Sequence, residues 1–379
     1  MSPALRDFEL EVYLGRHEFS ARHYLCGSDA QTMTVGELLD LADPDEREAF
    51  ERLPLGYTPT WGTKELRAAI AATYERIDAD HVLTFAGAEE GLFWALQELL
   101  GPGDHAVVTL PTYQATESVP LAGGVELSGL LLDPDEGWAL DLDRLRSLLR
   151  PSTRVVAVSF PNNPTGALPD PATFEALIDL CDEREIRLFS DEVYRGVEAD
   201  PAMTLPEAAD RSSLALSLNV MSKSYGLPGL RIGWIACQDR ALLERLERRK
   251  HYTSICSSAP SELLATIALR KREAIHARVR AIIARNVPLF DDFFGRWAEL
   301  FEWEAPRAGC VCYPRYRGRE GVDELCRRLI EDAGVVLLPG GVFRSELGAV
   351  PADRFRVGVA RAAPEPGLEA FDAFLRTRT

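Results

Sequence analysis

The sequence Val220-Met-Ser-Lys-Ser-Tyr-Gly-Leu-Pro-Gly-Leu-Arg231 places one lysine, Lys223, in a run of apolar and small residues. A lysine ammonium in such surroundings loses hydration, which lowers its pKa and leaves a neutral amine that can attack a carbonyl. Arg231 carries a planar, permanently charged guanidinium that suits a phosphate group. A surface lysine in a loop is the alternative for so short a stretch, so the interpretation depends on the rest of the chain.

Seven short apolar segments around this stretch alternate with amphipathic helical patterns. The predicted strands are residues 81–86, 105–110, 125–132, 153–160, 186–190, 215–221 and 232–237. The predicted helices between them are residues 89–100, 113–122, 142–149 and 172–183. This alternation predicts an α/β fold in which a mostly parallel, seven-stranded sheet lies between helices.

Residues that could react or bind a ligand follow the predicted strands. Because the carboxyl ends of parallel strands meet at one edge of a sheet, ligands usually bind there. We therefore expect a single binding site at this edge. The residues placed there by the pattern are Gly87, Ala88, Tyr113, Asn163, Asp191 and Lys223.

The chain divides into three predicted regions. Residues 1–45 form an N-terminal arm that belongs to a small domain and contains a short helix at residues 34–41. Residues 46–280 form the large domain, and residues 281–379 form the C-terminal part of the small α+β domain. A long helical stretch, residues 240–294, connects the two domains.

The composition excludes several classes of partner. The 379 residues carry a formal net charge of −17, with no basic stripe, which argues against binding to nucleic acid or to an anionic membrane surface. No apolar run reaches the roughly 18 residues that span a bilayer. The first residues lack the apolar stretch of a signal peptide, so we expect a cytoplasmic protein.

The seven cysteines are odd in number and scattered, which favours reduced thiols over a disulfide framework. Cys310 and Cys312 are separated by a single residue, as two strand residues on one face would be. No pair of histidines at ligand spacing accompanies them, so we expect no metal site.

Four motifs resemble those of the class I/II aminotransferases, which are pyridoxal-phosphate enzymes. They are Pro161-Asn-Asn-Pro-Thr-Gly166, Ser190-Asp-Glu-Val-Tyr194, Met221-Ser-Lys-Ser-Tyr-Gly-Leu-Pro-Gly-Leu-Arg231 and Phe355-Arg-Val-Gly-Val-Ala360. Each motif alone is weak, whereas all four in this order are specific. The resemblance covers nearly the whole chain and implies the PLP-dependent transferase fold (fold type I) with pyridoxal 5'-phosphate as cofactor.

The resemblance also implies catalytic roles. Lys223 would form the Schiff base with the cofactor and then carry a proton between substrate and cofactor. Asp191 would keep the pyridine nitrogen of the cofactor protonated. Tyr194 and Asn163 would donate hydrogen bonds to the phenolate oxygen of the cofactor, although Asn163 could instead be a turn residue before Pro164.

Further positions are expected around the cofactor ring and the substrate. Tyr113 would stack on the ring, with a plain core tyrosine as the alternative. Arg356 would bind the substrate α-carboxylate with its two-pronged guanidinium, with a surface role as the alternative. Tyr57 resembles the family tyrosine that reaches the phosphate of the neighbouring active site, which implies a homodimer.

The phosphate is expected at the start of the helix that follows the first strand. The backbone N–H groups of Gly87, Ala88 and Glu89 would bind it, together with Ser222 and Arg231. Several hydroxyl groups that are common there in the family are missing from this chain. Because a carboxylate beside a phosphate would be repelled, we expect the Glu89 side chain to point away.

The arm differs from the common aminotransferase opening. Residues 19–39 are similar to a branch that includes capreomycidine-synthase-like enzymes, which use the same cofactor for elimination and ring closure on arginine derivatives. We therefore expect the arm to line the substrate pocket, with Ser28, Asp29 and Gln31 as recognition residues. Asp29 could bind a cationic substrate end or could be an exposed loop acid.

Three functions are compatible with this sequence. The favoured one is an aminotransferase that moves an amino group between an L-amino acid and a 2-oxo acid through Lys223. The second is a lyase, cyclase or oxidase that acts on an amino acid with the same cofactor. The third is a non-catalytic regulator that binds the cofactor, which the intact Lys223 and Asp191 disfavour. The motifs do not indicate which amino acid is the substrate.

Overall fold

The structure, a computed structural model, describes residues 5–378. The α-helices of this part of the chain are α1 (Glu9–His17), α2 (Val35–Asp40), α3 (Pro44–Glu51), α4 (Lys64–Ala71), α5 (Ala88–Leu99), α6 (Ala115–Ala122), α7 (Leu142–Leu148), α8 (Pro171–Glu183), α9 (Ala208–Arg211), α10 (Arg240–Lys250), α11 (Ala259–Arg270), α12 (Arg272–Arg296), α13 (Val322–Arg328) and α14 (Glu365–Arg376).

The β-strands of the same part are β1 (His23–Tyr24), β2 (Val82–Phe85), β3 (His105–Leu110), β4 (Glu126–Leu131), β5 (Thr153–Ser159), β6 (Arg187–Asp191), β7 (Ala215–Val220), β8 (Gly233–Ala236), β9 (Phe301–Glu302), β10 (Val311–Cys312), β11 (Arg315–Tyr316), β12 (Val335–Val336), β13 (Leu338–Pro339) and β14 (Phe355–Gly358).

A seven-stranded sheet forms the centre of the larger unit, in the order β2-β8-β7-β6-β5-β3-β4. The neighbours from β7 to β4 run parallel, and β8 runs antiparallel to β2 and β7. Successive strand residues face opposite sides of the sheet: Val155 packs with α5, α6 and α10, whereas Val156 packs with α7 and α8. The predicted α/β architecture is confirmed.

The carboxyl ends of six strands point to one edge of this sheet, because β2 is antiparallel to β8 and therefore parallel to β7. Helix α5 starts three residues after β2, and β6 ends at Asp191 itself. The loop with Lys223 follows β7 directly. Topology therefore brings these chemically useful positions together.

A smaller α+β unit is built from the C-terminal part of the chain together with the arm. It contains the antiparallel sheet β10-β14-β13, the pair β9–β11 and the parallel pair β1–β12. Strand β1 thus ties the arm to this unit. The domain boundaries at residues 45 and 280 stay a prediction, and residues 1–4 and 379 of the predicted terminal regions lie outside the described residues.

Two local features differ from the sequence prediction. Helix α1 was missed because its buried face consists of Leu10 and Leu14 alone, which is a weak periodic signal. The stretch 240–294 is three helices, α10 to α12. Pro260 lies in the first turn of α11, where a missing N–H group is tolerated, so a new helix begins there after the turn at residues 251–258.

All seven cysteines are free thiols, and all except Cys256 are buried. Cys310 and Cys312 both lie in the core of the smaller unit, next to Val357 and Phe355 of β14. Within residues 5–378, no helix is both long and apolar enough to cross a bilayer.

Candidate active site

A cavity of about 560 Å³ lies at the strand-end edge, between the seven-stranded sheet, the smaller unit and the arm. It brings together most of the residues that the sequence assigned to one site. Those that line it are Ser28, Asp29, Ala88, Glu89, Tyr113, Asn163, Asp191, Tyr194, Ser222, Lys223, Arg231 and Arg356.

Lys223 extends into this cavity from the loop after β7. Its Nζ donates a hydrogen bond to Ser28 Oγ at 2.7 Å. Burial and the nearby Arg356 guanidinium lower the pKa of Lys223 from its ordinary value, while Asp29 and Asp191 oppose that shift. A lysine with a lowered pKa has a larger fraction of neutral amine, which is the nucleophilic form.

Asp191 ends β6 beneath the same cavity. Its Oδ1 accepts a hydrogen bond from Val193 N at 3.2 Å. Burial raises the pKa of Asp191 to about 6, and the Val193 amide, Lys223 and Ser159 act in the opposite direction. A buried carboxyl group with few partners favours a ligand that presents a cationic N–H to it.

Arg356 on β14 is 1 % exposed and forms no salt bridge with any residue between 5 and 378. Its Nη1 donates to Asn163 Oδ1 at 3.1 Å, and its Nε and Nη2 donate to the Cys26 carbonyl oxygen at 3.2 and 2.9 Å. A buried guanidinium with only neutral partners lacks a counter-charge, which an anionic ligand would supply. The bond to Arg356 uses the oxygen of Asn163 and leaves its amide N–H groups free to donate.

The two tyrosines of the site differ in their surroundings. Tyr194 is buried, and its hydroxyl has no partner with hydrogen-bond geometry in the described chain. The Tyr113 ring packs against Phe8 with 5.0 Å between ring centroids and forms one wall of the cavity. Burial, followed by the Glu89 carboxylate, raises the pKa of Tyr113 well above its usual range.

Gly87 caps the start of α5 with a φ of +90°, a conformation that disfavours other residues. A Cβ atom at this position would lie 2.5 Å from Arg231 Nη2, so only glycine lets the guanidinium approach the helix start this closely. Arg231 Nη1 also lies 3.5 Å from Ser222 Oγ. Backbone N–H groups, a guanidinium and a hydroxyl at one helix start form an anion-binding cradle.

The expectation that the Glu89 side chain points away from the phosphate stays a prediction. Glu89 lines the cavity, beside the Tyr113 hydroxyl. Burial raises the pKa of Glu89 to about 7; Glu11 and Asp191 add to this rise, and Tyr113 and Arg231 oppose it. Near neutral pH this carboxyl group is therefore more often protonated than an exposed glutamate, which weakens the repulsion that the prediction assumed.

The arm residues have three different environments. Asp29 is bound by Arg361, whose Nη2 donates to both carboxylate oxygens at 2.7 and 2.8 Å. Ser28 faces Lys223 as described. Gln31 turns towards the smaller unit, where its Oε1 accepts from Ala362 N at 2.9 Å. Asp29 is thus neither an exposed loop acid nor an unpaired one.

Two carboxylates in the cavity were missed by the sequence analysis. Glu11 lies on α1 and Glu18 at its C-terminal end, and both line the cavity. An i, i+7 spacing places two residues on one helix face, which was the available signal once a helix had been recognised there. Arg361, the partner of Asp29, was also missed.

Tyr57 lies outside the cavity of its own subunit. Its side chain is 95 % exposed on the loop before α4. Its predicted contact with a neighbouring active site stays a prediction.

These residues fit pyridoxal phosphate. The orphaned Tyr194 hydroxyl and the free amide of Asn163 can donate to a phenolate oxygen, and the cradle at Gly87 and Arg231 can hold a phosphate. Lys223 offers an amine to an aldehyde, and Asp191 offers a carboxylate to a ring nitrogen.

Comparison with known proteins agrees with this geometry. The family model "Aminotransferase class I and II" matches residues 35–373. The chain belongs to this family. As a class I and II aminotransferase family member it is a pyridoxal-phosphate-dependent transferase, and the predicted resemblance and cofactor are confirmed.

The chain is also similar to individual members of the class I and II aminotransferases. Capreomycidine synthase from Streptomyces vinaceus is 34% identical over 369 residues, which are 97% of this chain and 92% of that protein. Arginine–pyruvate transaminase AruH from Pseudomonas aeruginosa is 34% identical over 55% of this chain and 56% of that protein. A PLP-dependent aminotransferase from Streptococcus suis superposes with a TM-score of 0.91 at 28% identity, covering 99% of both chains.

Proposed function

We propose that this enzyme moves the amino group of an L-amino acid with a cationic side chain to a 2-oxo acid. The observation that best supports this proposal is a set of three carboxyl groups in the Lys223 cavity: Glu11, Glu18 and Glu89. None of the three forms a salt bridge within residues 5–378. A substrate ammonium or guanidinium group would supply the missing counter-charge.

Two of the three arginines that line the cavity have partners other than the arm carboxylates, which supports this proposal. Arg361 is held by Asp29, and Arg231 lies at the start of α5. Arg356 donates a hydrogen bond to Asn163. The family resemblance implies that the substrate α-carboxylate binds to Arg356. An amino acid bound through its α-carboxylate at Arg356 could direct a cationic side chain towards the arm carboxylates.

Different residues of the chain have different roles in the reaction. The bound cofactor supplies the carbonyl for the amine and the ring that accepts electrons from Cα. Arg356 would orient the α-carboxylate, and the neutral Lys223 amine would hold and return the Cα proton. Asp191 would keep a proton on the ring nitrogen, and Tyr194 and Asn163 would donate to the phenolate oxygen.

We also propose that the enzyme is a cytoplasmic homodimer. Tyr57 and Leu55 are 95 % and 85 % exposed on one loop, so both side chains are available to pack against a partner subunit. In a homodimer, Tyr57 could reach the phosphate of the partner subunit. Sedimentation and the cofactor affinity of Tyr57→Phe test this: a monomer, or unchanged affinity, would count against it.

A second candidate function is elimination or ring closure on an arginine derivative. It is favoured by the match to capreomycidine synthase over 97% of this chain. The residues around Lys223 serve both functions, because both begin with removal of the Cα proton.

Absorbance spectroscopy with single amino acids tests both candidates. We expect arginine, ornithine or lysine to convert the bound cofactor to its pyridoxamine form, and a 2-oxo acid to reverse this. Release of ammonia or a cyclic product without the pyridoxamine form would favour the second candidate. Conversion by alanine or aspartate with no response to any cationic amino acid would contradict the proposed substrate class.

A further inference from the structure

Ser28 is the hydrogen-bond partner of the lysine at the centre of the site. The bond from Lys223 Nζ to Ser28 Oγ measures 2.7 Å and joins residues that are 195 positions apart in the sequence. The Ser28 hydroxyl also lies near Tyr194: burial raises the pKa of that phenol, and Ser28 acts in the opposite direction. The serine therefore lies where the amine and the phenol meet.

The backbone around Ser28 is held firmly from both sides. The preceding Cys26 carbonyl accepts two hydrogen bonds from Arg356, and the following Asp29 carboxylate is bound by Arg361. Ala30 N donates to the Lys223 carbonyl oxygen at 3.3 Å, so the arm and the lysine loop are also joined through their backbones. The Ser28 hydroxyl is thus presented from a fixed position.

We propose that Ser28 is a positioning residue whose hydroxyl oxygen holds the Lys223 amine in the cavity whenever that amine is not bonded to the cofactor. A lysine side chain has four flexible methylene groups, so an unheld amine would sample many rotamers. A neutral amine that donates one N–H to Ser28 keeps its lone pair free to attack or to accept a proton. The inference rests on the proposed function only in taking Lys223 as the reacting amine.

The effect of nearby charges on the pKa of Lys223 can be tested separately from the effect of Ser28 on the position of its amine. The charged or titratable groups that act on the amine are Arg356, Asp29, Cys310 and Asp191. Ser28 carries no charge, so its removal should mainly change how often the amine is correctly placed, and it should shift the pH at which the amine becomes neutral only slightly, towards lower pH, because one acceptor for the ammonium form is lost. This distinguishes a positioning role from an electrostatic one.

The test uses the full-length protein after dialysis to remove cofactor, and it measures the rate of pyridoxal phosphate capture by absorbance across a range of pH. The variants are Ser28→Ala and Ser28→Thr, which keeps the hydroxyl. The matched control is Ser20→Ala, because Ser20 is an exposed serine of the same arm whose hydroxyl donates only to carbonyl groups of α1. The amino-acid half-reaction is followed in parallel.

For Ser28→Ala we expect a maximal capture rate about tenfold below wild type, with only a slight shift of the pH midpoint, towards lower pH. In the half-reaction, kcat should fall while KM stays constant. Ser28→Thr should recover most of the rate, and Ser20→Ala should match wild type. Wild-type rates in Ser28→Ala, or an equal loss in Ser28→Thr, would overturn the inference alone. Failure of the wild type to capture cofactor would overturn the proposed function as well.

Discussion

Two halves of the active-site cavity are built in different ways. The strand-end half contains Ala88, Asn163, Asp191 and Lys223, which lie at or just after the ends of strands of one buried sheet. The arm half consists of Glu11, Glu18, Ser28 and Asp29, which come from one helix and the loops around a two-residue strand. Hydrogen bonds to the smaller unit hold that arm in place.

This difference indicates a division of labour. The strand-end half holds groups that match a cofactor, and its geometry follows from a rigid sheet. The arm half holds Glu11 and Glu18, which form no salt bridge within residues 5–378, and the partner of the lysine, on a helix and loops that lie outside that sheet. We infer that the strand-end half determines that a reaction occurs and that the carboxylates of the arm half determine which amino acid undergoes it, whereas Ser28 serves the strand-end half by holding Lys223.

The largest expected effect is that of Lys223→Ala. Because the strand-end half acts on every substrate, this change should lower turnover with all amino acids by about four orders of magnitude. The absorbance band of protein-bound cofactor should shift to that of cofactor held without a covalent bond. Turnover that persists with any one amino acid would contradict the separate roles inferred for the two halves.

Arg356 connects the two halves through its bonds to Asn163 and to the Cys26 carbonyl. Arg356→Lys keeps the charge but loses the two-pronged geometry, so kcat/KM should fall about a hundredfold for cationic and neutral amino acids alike. Equal losses can be measured by comparing arginine with alanine. A loss confined to arginine would place Arg356 in the arm half instead.

The arm half is tested by the double variant Glu11→Gln, Glu18→Gln. We expect kcat/KM to fall about tenfold for a cationic amino acid and to stay constant for alanine, because only the cation loses its counter-charge. Glu9→Gln, which changes an exposed carboxylate of the same helix, is the matched control. Equal losses for alanine would show that α1 acts through folding rather than recognition.

The strand-end half could be predicted from the sequence because its residues follow apolar strands directly. Asp191 ends β6 and Lys223 follows β7, so the period of the pattern and the direction of the strands were sufficient to bring them together. Arg356 could be assigned only through the family resemblance, since a single arginine in a four-residue strand has no distinguishing signal of its own.

Only part of the arm half could be predicted: the family resemblance placed Ser28 and Asp29 in the pocket, whereas the contacts that join distant segments could not be predicted. Arg361 and Asp29 are 332 positions apart, and nothing near either residue indicates the other. The place of the Glu89 side chain in the cavity was not predicted, because the start of α5 determines only its backbone direction. Its side chain is placed by Tyr113 from the next strand end and faces Glu11 from α1, a helix whose sequence signal was too weak.

The smallest expected effect is a pH dependence of substrate preference that arises from the titration of Glu89. Burial raises the pKa of this carboxyl group to about 7, so it is mostly neutral at pH 6 and mostly charged at pH 8. Only the charged form attracts a cation. The ratio of kcat/KM for arginine to that for alanine should therefore rise about fivefold between pH 6 and pH 8.

The ratio is informative because the titrations of Lys223 and Asp191 affect both substrates and cancel. Glu89→Gln should make the ratio independent of pH. Glu11→Gln should move the midpoint to lower pH, because the Glu11 charge contributes to the raised pKa of Glu89. A ratio that is flat in the wild type, or that still rises in Glu89→Gln, would mean that Glu89 serves the cofactor side of the cavity and that the boundary between the two halves lies nearer to the arm.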